Sequence, residues 1–282
     1  MSVRAFLRRA RAVALGSRPV PGLSPGDRRE FLARYSAAKA IPALSHATVR
    51  DYCDSADHLP RLCRLDGDLK NVQRPWMVKA ILGRVPAGSR LLEIGAGLPE
   101  VASFLSELGY FVTAVDPYEG EANGPTDFPS IARMYPGVSL LRARFGAEGV
   151  GLPASSFDAV YSISVLEHLT PDSVGEVFAG IQRILRPSGM SIHCVDHVVE
   201  GDGAGWHEEI VRRVVREQAG LSEDRGDPDR DYDELMRRLR GDLDTFYLSA
   251  LGHHQWRGGR SYDEFPFRKV VSIQLASGAQ RK

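Results

Sequence analysis

Residues 93–97 read Glu-Ile-Gly-Ala-Gly, an acid closing an apolar run and then two glycines one residue apart. Gly95 and Gly97 would let the backbone approach a ligand with no side chain in the way. A dinucleotide fingerprint, G-x-G-x-x-G, would put its third glycine where Glu100 stands; its bulk and charge weaken a nicotinamide-dinucleotide reading. Glu93, before the turn, would repel a pyrophosphate and face a cationic ligand group. Asp116 closes the apolar run "YFVTAVD" and can accept hydrogen bonds from ribose hydroxyls, which alone does not discriminate between nucleotides. Together the first acid suits the ammonium of a methionine moiety and the second suits a ribose. Further along, Glu167, His168, Asp196 and His197 are side chains able to take a proton or to hold a divalent ion.

Such residues need a scaffold that brings them to one place. From Ser89 the chain alternates strand and helix: "RLLEIG", then "VASFLSELG" with Val101, Phe104, Leu105 and Leu108 at helical spacing, then "YFVTAVD". "SLLRARF" and "FDAVYSIS" follow as strands, "SVGEVFAGIQRIL" as an amphipathic helix ended by Pro187 and Gly189, and "MSIHCVDHV" as a further strand. Strands joined by single helices pair in parallel through right-handed crossovers, so an open sheet covered on both faces is expected. Ligands of such sheets bind at the carboxyl ends of the strands. Pro99 is expected in the first turn of the helix after the glycines, and Pro75 in the first turn of an earlier one, "RPWMVKAIL". Gly26 to Ile81 reads as helices and loops. After Val199 come the helix "HEEIVRRVVREQAGL", a charged loop and the helix "DELMRRL"; "TFYLSAL" and "RKVVSIQLA" return to strand character, the latter closing the sheet.

In these motifs the chain resembles the class I S-adenosylmethionine-dependent methyltransferases, in the manner of a methyltransferase type 11 domain. "LLEIGAGLPE" looks like their first motif, "VTAVDP" like the second, "LPASSFDAVYSISVLEHL" like the fourth-strand motif and "RILRPSGMSI" like the turn into the fifth strand. The resemblance runs over roughly Pro86 to Val198. It implies an α/β fold: a seven-stranded, mostly parallel, doubly wound (Rossmann-like) sheet with the last strand antiparallel. To this the residue pattern adds an N-terminal helical extension and a helical insertion after the fifth strand. It implies S-adenosylmethionine as cofactor, with Glu93 near the methionine ammonium, Gly95, Ala96 and Gly97 beside the cofactor, Asp116 with Pro117 at the ribose, Ser164 at the cofactor, and Glu148, by spacing, as the adenine-side acid. The layout expected is a cap over 1–85, a cofactor-binding core over 86–198, a helical insertion or lid over 199–243, and strands completing the sheet over 244–282.

Methyl transfer needs positioning, plus a base when the acceptor is a hydroxyl. His168 and His197 are the expected catalytic groups. "SVLEHL" also resembles the E-x-x-E-H segment that carries divalent-metal ligands in ubiquinone-pathway and small-RNA 2′-O-methyltransferases, with Ser164 in place of the first glutamate. A metal reading would use Glu167, His168, Asp196 and His197. The competing expectation is no metal, with Glu167 and His168 making structural hydrogen bonds. His193 is expected in the core. "GHHQWRGGRSYDEFPF" gathers His253, His254, Trp256 and Arg257 into a candidate acceptor-binding loop. By family analogy, "YCDSADHL" and "DGDLKNVQRPW" would supply the other wall.

Composition bounds the partners. Thirty-six basic and 36 acidic side chains give a formal net charge of zero, so no overall field favours a polyanion, and a small-molecule or saccharide-like acceptor, methylated at oxygen, is expected in place of extended nucleic acid. Three cysteines with no C-x-x-C spacing argue against a disulfide framework or a zinc knuckle. Residues 1–18 carry Arg4, Arg8, Arg9, Arg11 and Arg18 with no acid, which suggests a loosely packed basic N-terminus able to make weak membrane-surface contact. No long apolar stretch follows, so a cytoplasmic location is expected. The competing functions are a nucleic-acid or protein methyltransferase, which would show a basic face, a catalytically silent cofactor-binding partner subunit, and an NAD-dependent oxidoreductase.

Overall fold

The computed structural model describes residues 22–36, 41–63, 68–121, 124–222, 226–241 and 268–277. Its centre is a seven-stranded sheet built from β1 (Leu44–His46), β2 (Arg90–Ile94), β3 (Phe111–Asp116), β4 (Ser139–Arg142), β5 (Phe157–Ile163), β6 (Leu185–Gly201) and β7 (Arg268–Ser277), in the order β1-β7-β6-β5-β2-β3-β4. Strands β2 to β6 pair in parallel, and β7 runs antiparallel to both β6 and β1. Six strands therefore share one direction against one. The order reverses beside β2, where β3 lies on one side and β5 on the other, and a ligand crevice opens at such a switch point.

Both faces are covered. Leu91, Val112, Ala114, Ala159 and Ile192 point to one side, packed under α3 (Lys70–Arg84) and α4 (Glu100–Glu107), with Phe31 of α1 (Pro25–Tyr35) against them. Leu92, Ile94, Val160, Val195 and Ile273 point to the other, beneath α6 (Pro171–Ile184), α7 (Ala204–Gly220) and α8 (Pro228–Gly241). Each large apolar side chain so buried contributes about 1.5–3 kcal/mol. The short helices α2 (Val49–His58) and α5 (Phe128–Met134) complete the set among the described residues, α2 opened by a capping box between Thr48 and Asp51.

Several sequence expectations change. The segment Gly26–Ile81 is not only helix and loop: Leu44–His46 forms the edge strand β1, paired with Ile273–Leu275. Three residues are too short to show a period of two, so the pattern was silent. Pro75 lies inside α3 instead of opening it. The helix starts earlier because the Asp68 carboxylate accepts the Lys70 N–H at 2.8 Å and because Val72 and Met77 are both buried. Pro99 is the N-cap of α4 and not a first-turn residue. Within the insertion after the fifth strand, Ile210, Val211, Val214 and Val215 of α7 belong to the core. "TFYLSAL", the basic N-terminal segment and the His253–Arg257 loop lie outside the described residues.

Candidate functional site

Local geometry at the end of β2 follows from glycine. Gly95 has φ +66° and Gly97 φ +52°, values that side chains rarely adopt. A Cβ at Gly95 would sit 2.6 Å from Cγ2 of Val165, whereas one at Gly97 would meet nothing nearer than Cδ of Pro125 at 3.7 Å. The Gly95 N–H donates to the Val115 carbonyl at 2.8 Å. The turn is closed by Asp116, whose Oδ2 accepts from the Gly97 N–H at 2.9 Å and whose Oδ1 accepts from the Tyr118 N–H at 2.7 Å. Two carboxylate oxygens thus clamp the glycine turn to the end of β3, and each keeps a lone pair for a further donor. A glycine turn whose Cβ position at Gly97 is open, with a carboxylate at the neighbouring strand end, fits a nucleoside with ribose hydroxyls.

Glu93 behaves differently from the expected open carboxylate. It is 4% exposed, directly opposite Tyr161 in the sheet. Its Oε2 accepts from the Tyr161 hydroxyl at 3.3 Å, and the Ala102 amide also reaches it. Burial pushes its pKa up to about 8, against smaller opposing pulls from Tyr161, Ala102 and Arg74. Glu100, the residue that broke the dinucleotide pattern, pairs with Arg74 at 2.8 Å.

Beside this loop lies a second polar cluster, contributed by three elements distant in sequence. Ser164, at φ +53° after β5, has its Oγ 2.8 Å from Oδ1 of Asp196 and 3.1 Å from Oε1 of Gln73. The Gln73 amide donates to the same Asp196 oxygen at 2.7 Å. The Asp196 N–H donates to Oε1 of Glu167 at 2.8 Å, and the other oxygen of Glu167 is buried without a hydrogen-bond partner among the described residues. Burial first, and then the negative charge of Asp196, hold the Glu167 carboxyl well above the usual carboxylate range. Gln73 and Lys70 were not singled out in the sequence. The only signal was the segment "DGDLKNVQRPW", and α3 does bring Gln73 from it onto the strand ends.

Both raised acids make stability pH-dependent. Below the ordinary carboxylate pKa both folded and unfolded chains are protonated; between that value and about 8 the unfolded chain ionises while folded Glu93 keeps its proton. Raising the pH through this window therefore costs stability. Thermal melts from pH 5 to 9 are expected to fall across it, and Glu93→Gln is expected to flatten the decline. A decline of unchanged steepness in the variant would remove Glu93 as its source.

His168 lies at the surface near this cluster; protein crowding one side of its ring lowers its pKa, outweighing the opposite pull of Asp196. His197, expected as a catalytic group, is enclosed away from this cluster. It is 2% exposed and points to the opposite face, where its Nε2 lies 2.8 Å from the Tyr232 hydroxyl and 3.2 Å from Sδ of Met236. Burial drives its pKa down to about 3. Because neighbouring strand residues face opposite ways, His197 cannot join Glu167, His168 and Asp196 around an ion, and among the described residues no three His, Cys, Asp or Glu side chains converge to hold one. The four residues of the alternative metal reading are therefore not brought together. His193 is in the core, within 2.7 Å of the Ser162 and Ser191 hydroxyls. Glu148 is exposed; its carbonyl accepts from Arg183 at 2.8 Å, and it borders a shallow hollow with Arg144, Val150 and Glu176. A second hollow, between α6 and α7, includes no residue of either cluster.

Residues 92–193 match the family model described as a methyltransferase domain. Over 106 residues the chain is 30% identical to the S-adenosyl-L-methionine-dependent Diels-Alderase iccD of Talaromyces variabilis, a stretch covering 37% of this chain and 35% of that protein. It therefore spans about a third of that relative's length. Among solved structures, phosphoethanolamine N-methyltransferase 2 of Haemonchus contortus superposes with a TM-score of 0.44 at 20% identity, covering 73% of this chain and 52% of that one. Geranyl diphosphate C-methyltransferase of Streptomyces coelicolor gives 0.45 at 12% identity, covering 90% and 98%.

Proposed function

From the match of residues 92–193 to a methyltransferase domain, we propose that the protein is a class I methyltransferase that transfers the methyl group of S-adenosylmethionine to oxygen of a small, hydroxyl-bearing or saccharide-like acceptor. The observation that carries this reading is the Asp116 clamp on the glycine turn, with the Gln73–Ser164–Asp196 cluster beside it. When bound, the cofactor supplies an electrophilic methyl on a sulfonium. The chain's part is to hold the nucleoside with the bare turn and Asp116, and to present the acceptor from the polar cluster. The core over 86–198 with β7 would bind the cofactor, the segment before it would wall the acceptor side, and His253, His254, Trp256 and Arg257 would line the acceptor.

A nucleic-acid or protein acceptor would call for a basic face. The cluster "VRRVVR" does not supply one: Arg212 pairs with Glu208 and Asp233, Arg213 with Glu217 and Arg216 with Asp229. No helix among the described residues is long and apolar enough to cross a membrane; a cytoplasmic setting, with the basic N-terminus touching lipid only weakly, fits this reading.

Thermal shift separates the competing functions, since a ligand that binds only the folded chain raises its melting point. S-adenosylhomocysteine is expected to stabilise the protein and NAD to leave it unmoved; stabilisation by NAD alone would overturn the reading. A screen with methyl-labelled cofactor then distinguishes an enzyme from a silent partner subunit.

A further inference from the structure

We propose that Asp196 is the catalytic base of this site, and that its Oδ2 takes the proton of the acceptor hydroxyl; this rests on the methyltransferase reading above. The side chain is held for that task. Gln73 and Ser164 both donate to Oδ1, at 2.7 and 2.8 Å, while Oδ2 receives no hydrogen bond from any described residue. Two donors on one oxygen fix the carboxylate plane and leave the other oxygen as the acceptor. Its backbone is fixed as well: the Asp196 N–H is tied to Glu167 and the Asp196 carbonyl lies 3.0 Å from Nδ1 of His207 on α7. Asp196 is half-buried, in contrast to the surface His168 and the enclosed His197.

Its position is the second argument. Ser164, which holds Asp196, is followed by Val165, the residue whose methyls fill the space a Cβ at Gly95 would need. The carboxylate is thus linked, through Ser164 and Val165, to the turn that would carry the cofactor. Glu167 and Gln73 are positioning residues: the Gln73 side chain bonds Asp196 and Ser164, and the Glu167 carboxyl accepts the Asp196 N–H.

The step balances. As an acceptor oxygen lone pair forms the new C–O bond, the electron pair of the breaking C–S bond stays on sulfur, leaving a neutral thioether. The acceptor's O–H proton passes to Asp196 Oδ2, which becomes a carboxylic acid and returns the proton to solvent. No oxidant, reductant or metal is required.

The test needs no knowledge of the natural acceptor. Two aza analogues of S-adenosylhomocysteine, with the sulfur replaced by nitrogen bearing either a 2-aminoethyl or a propyl arm, project a group to where the methyl is delivered. A primary ammonium can only donate, so it reports an open carboxylate oxygen; the propyl arm has similar size and no donor. By calorimetry the wild-type protein is expected to bind the aminoethyl analogue about tenfold more tightly than the propyl one. In Asp196→Ala the acceptor oxygen itself is removed, so the preference is expected to vanish while S-adenosylhomocysteine affinity holds. His168→Ala is expected to keep the preference. Equal binding of both arms by the wild type overturns the assignment without any variant, as does a preference that survives in Asp196→Ala. Failure of the wild type to bind S-adenosylhomocysteine at all would instead overturn the proposed function.

Discussion

Gly95→Ala is expected to abolish measurable S-adenosylhomocysteine binding and to lower the melting temperature by about 5–15 °C, the larger of the two effects being on the ligand. Two costs combine. An alanine at φ +66° takes a left-handed conformation worth about 1–2 kcal/mol of strain. Its Cβ would then lie 2.6 and 2.8 Å from the two methyls of Val165, an overpacking of about 1–3 kcal/mol if the neighbour yields. Relief requires the turn to move away from β5, which breaks the Gly95 N–H bond to Val115 and displaces the backbone that the nucleoside would approach. Gly97→Ala is the control. Its φ is also positive, yet its nearest protein neighbour is 3.7 Å away, so its melting temperature should bear only the conformational cost. Val165→Ala in the Gly95→Ala background should return part of the lost stability. If Gly95→Ala melts and binds as the wild type does, the turn is not the cofactor loop.

Asp116→Ala is expected to weaken S-adenosylhomocysteine binding at least a hundredfold, about 2.7 kcal/mol. The carboxylate bonds two backbone amides, Gly97 and Tyr118, and would bond the ribose as well, so truncation loosens the loop and removes a ligand contact together. Asp116→Asn should be nearly as damaging. An amide has one acceptor oxygen, and whichever way it is turned its NH2 faces a backbone N–H, at Gly97 or at Tyr118. Titration calorimetry beside thermal melts separates the roles. Lower stability with unchanged affinity would make Asp116 a strut of the loop and not a ribose ligand.

The legible part of this protein is the local part. Glu93, Gly95, Gly97 and Asp116 sit on strand ends and turns whose residue types follow from backbone needs a few positions wide: apolar runs bounded by glycine, and positive φ at the turn. The crossover pattern leads to a parallel sheet with its ligand end at those turns, and "RKVVSIQLA" is legible as a strand from its apolar run, whereas its antiparallel direction came only with the family resemblance. What failed were short or two-sided features. β1 is three residues long, and Pro75 marks no helix start because the buried stripe of α3 continues through it.

The sequence by itself determined the strand, turn and helix succession from Ser89 to Val198, and with it the glycine turn and the acid at each of the first two strand ends. Only the tertiary structure decided which polar residues form the second cluster. Gln73 and Asp196 are 123 residues apart, and Ser164 and Gln73 are 91 apart; no periodicity links them, and they meet because α3 packs over the ends of β5 and β6. A period of two already places Asp196 and His197 on opposite faces, but which face bears the site depends on which helices cover it. Tyr232 and Met236 of α8 enclose His197, and Gln73 and Ser164 leave one oxygen of Asp196 open. Burial set by helices far away in the chain made one of these neighbours a core residue and the other a candidate base.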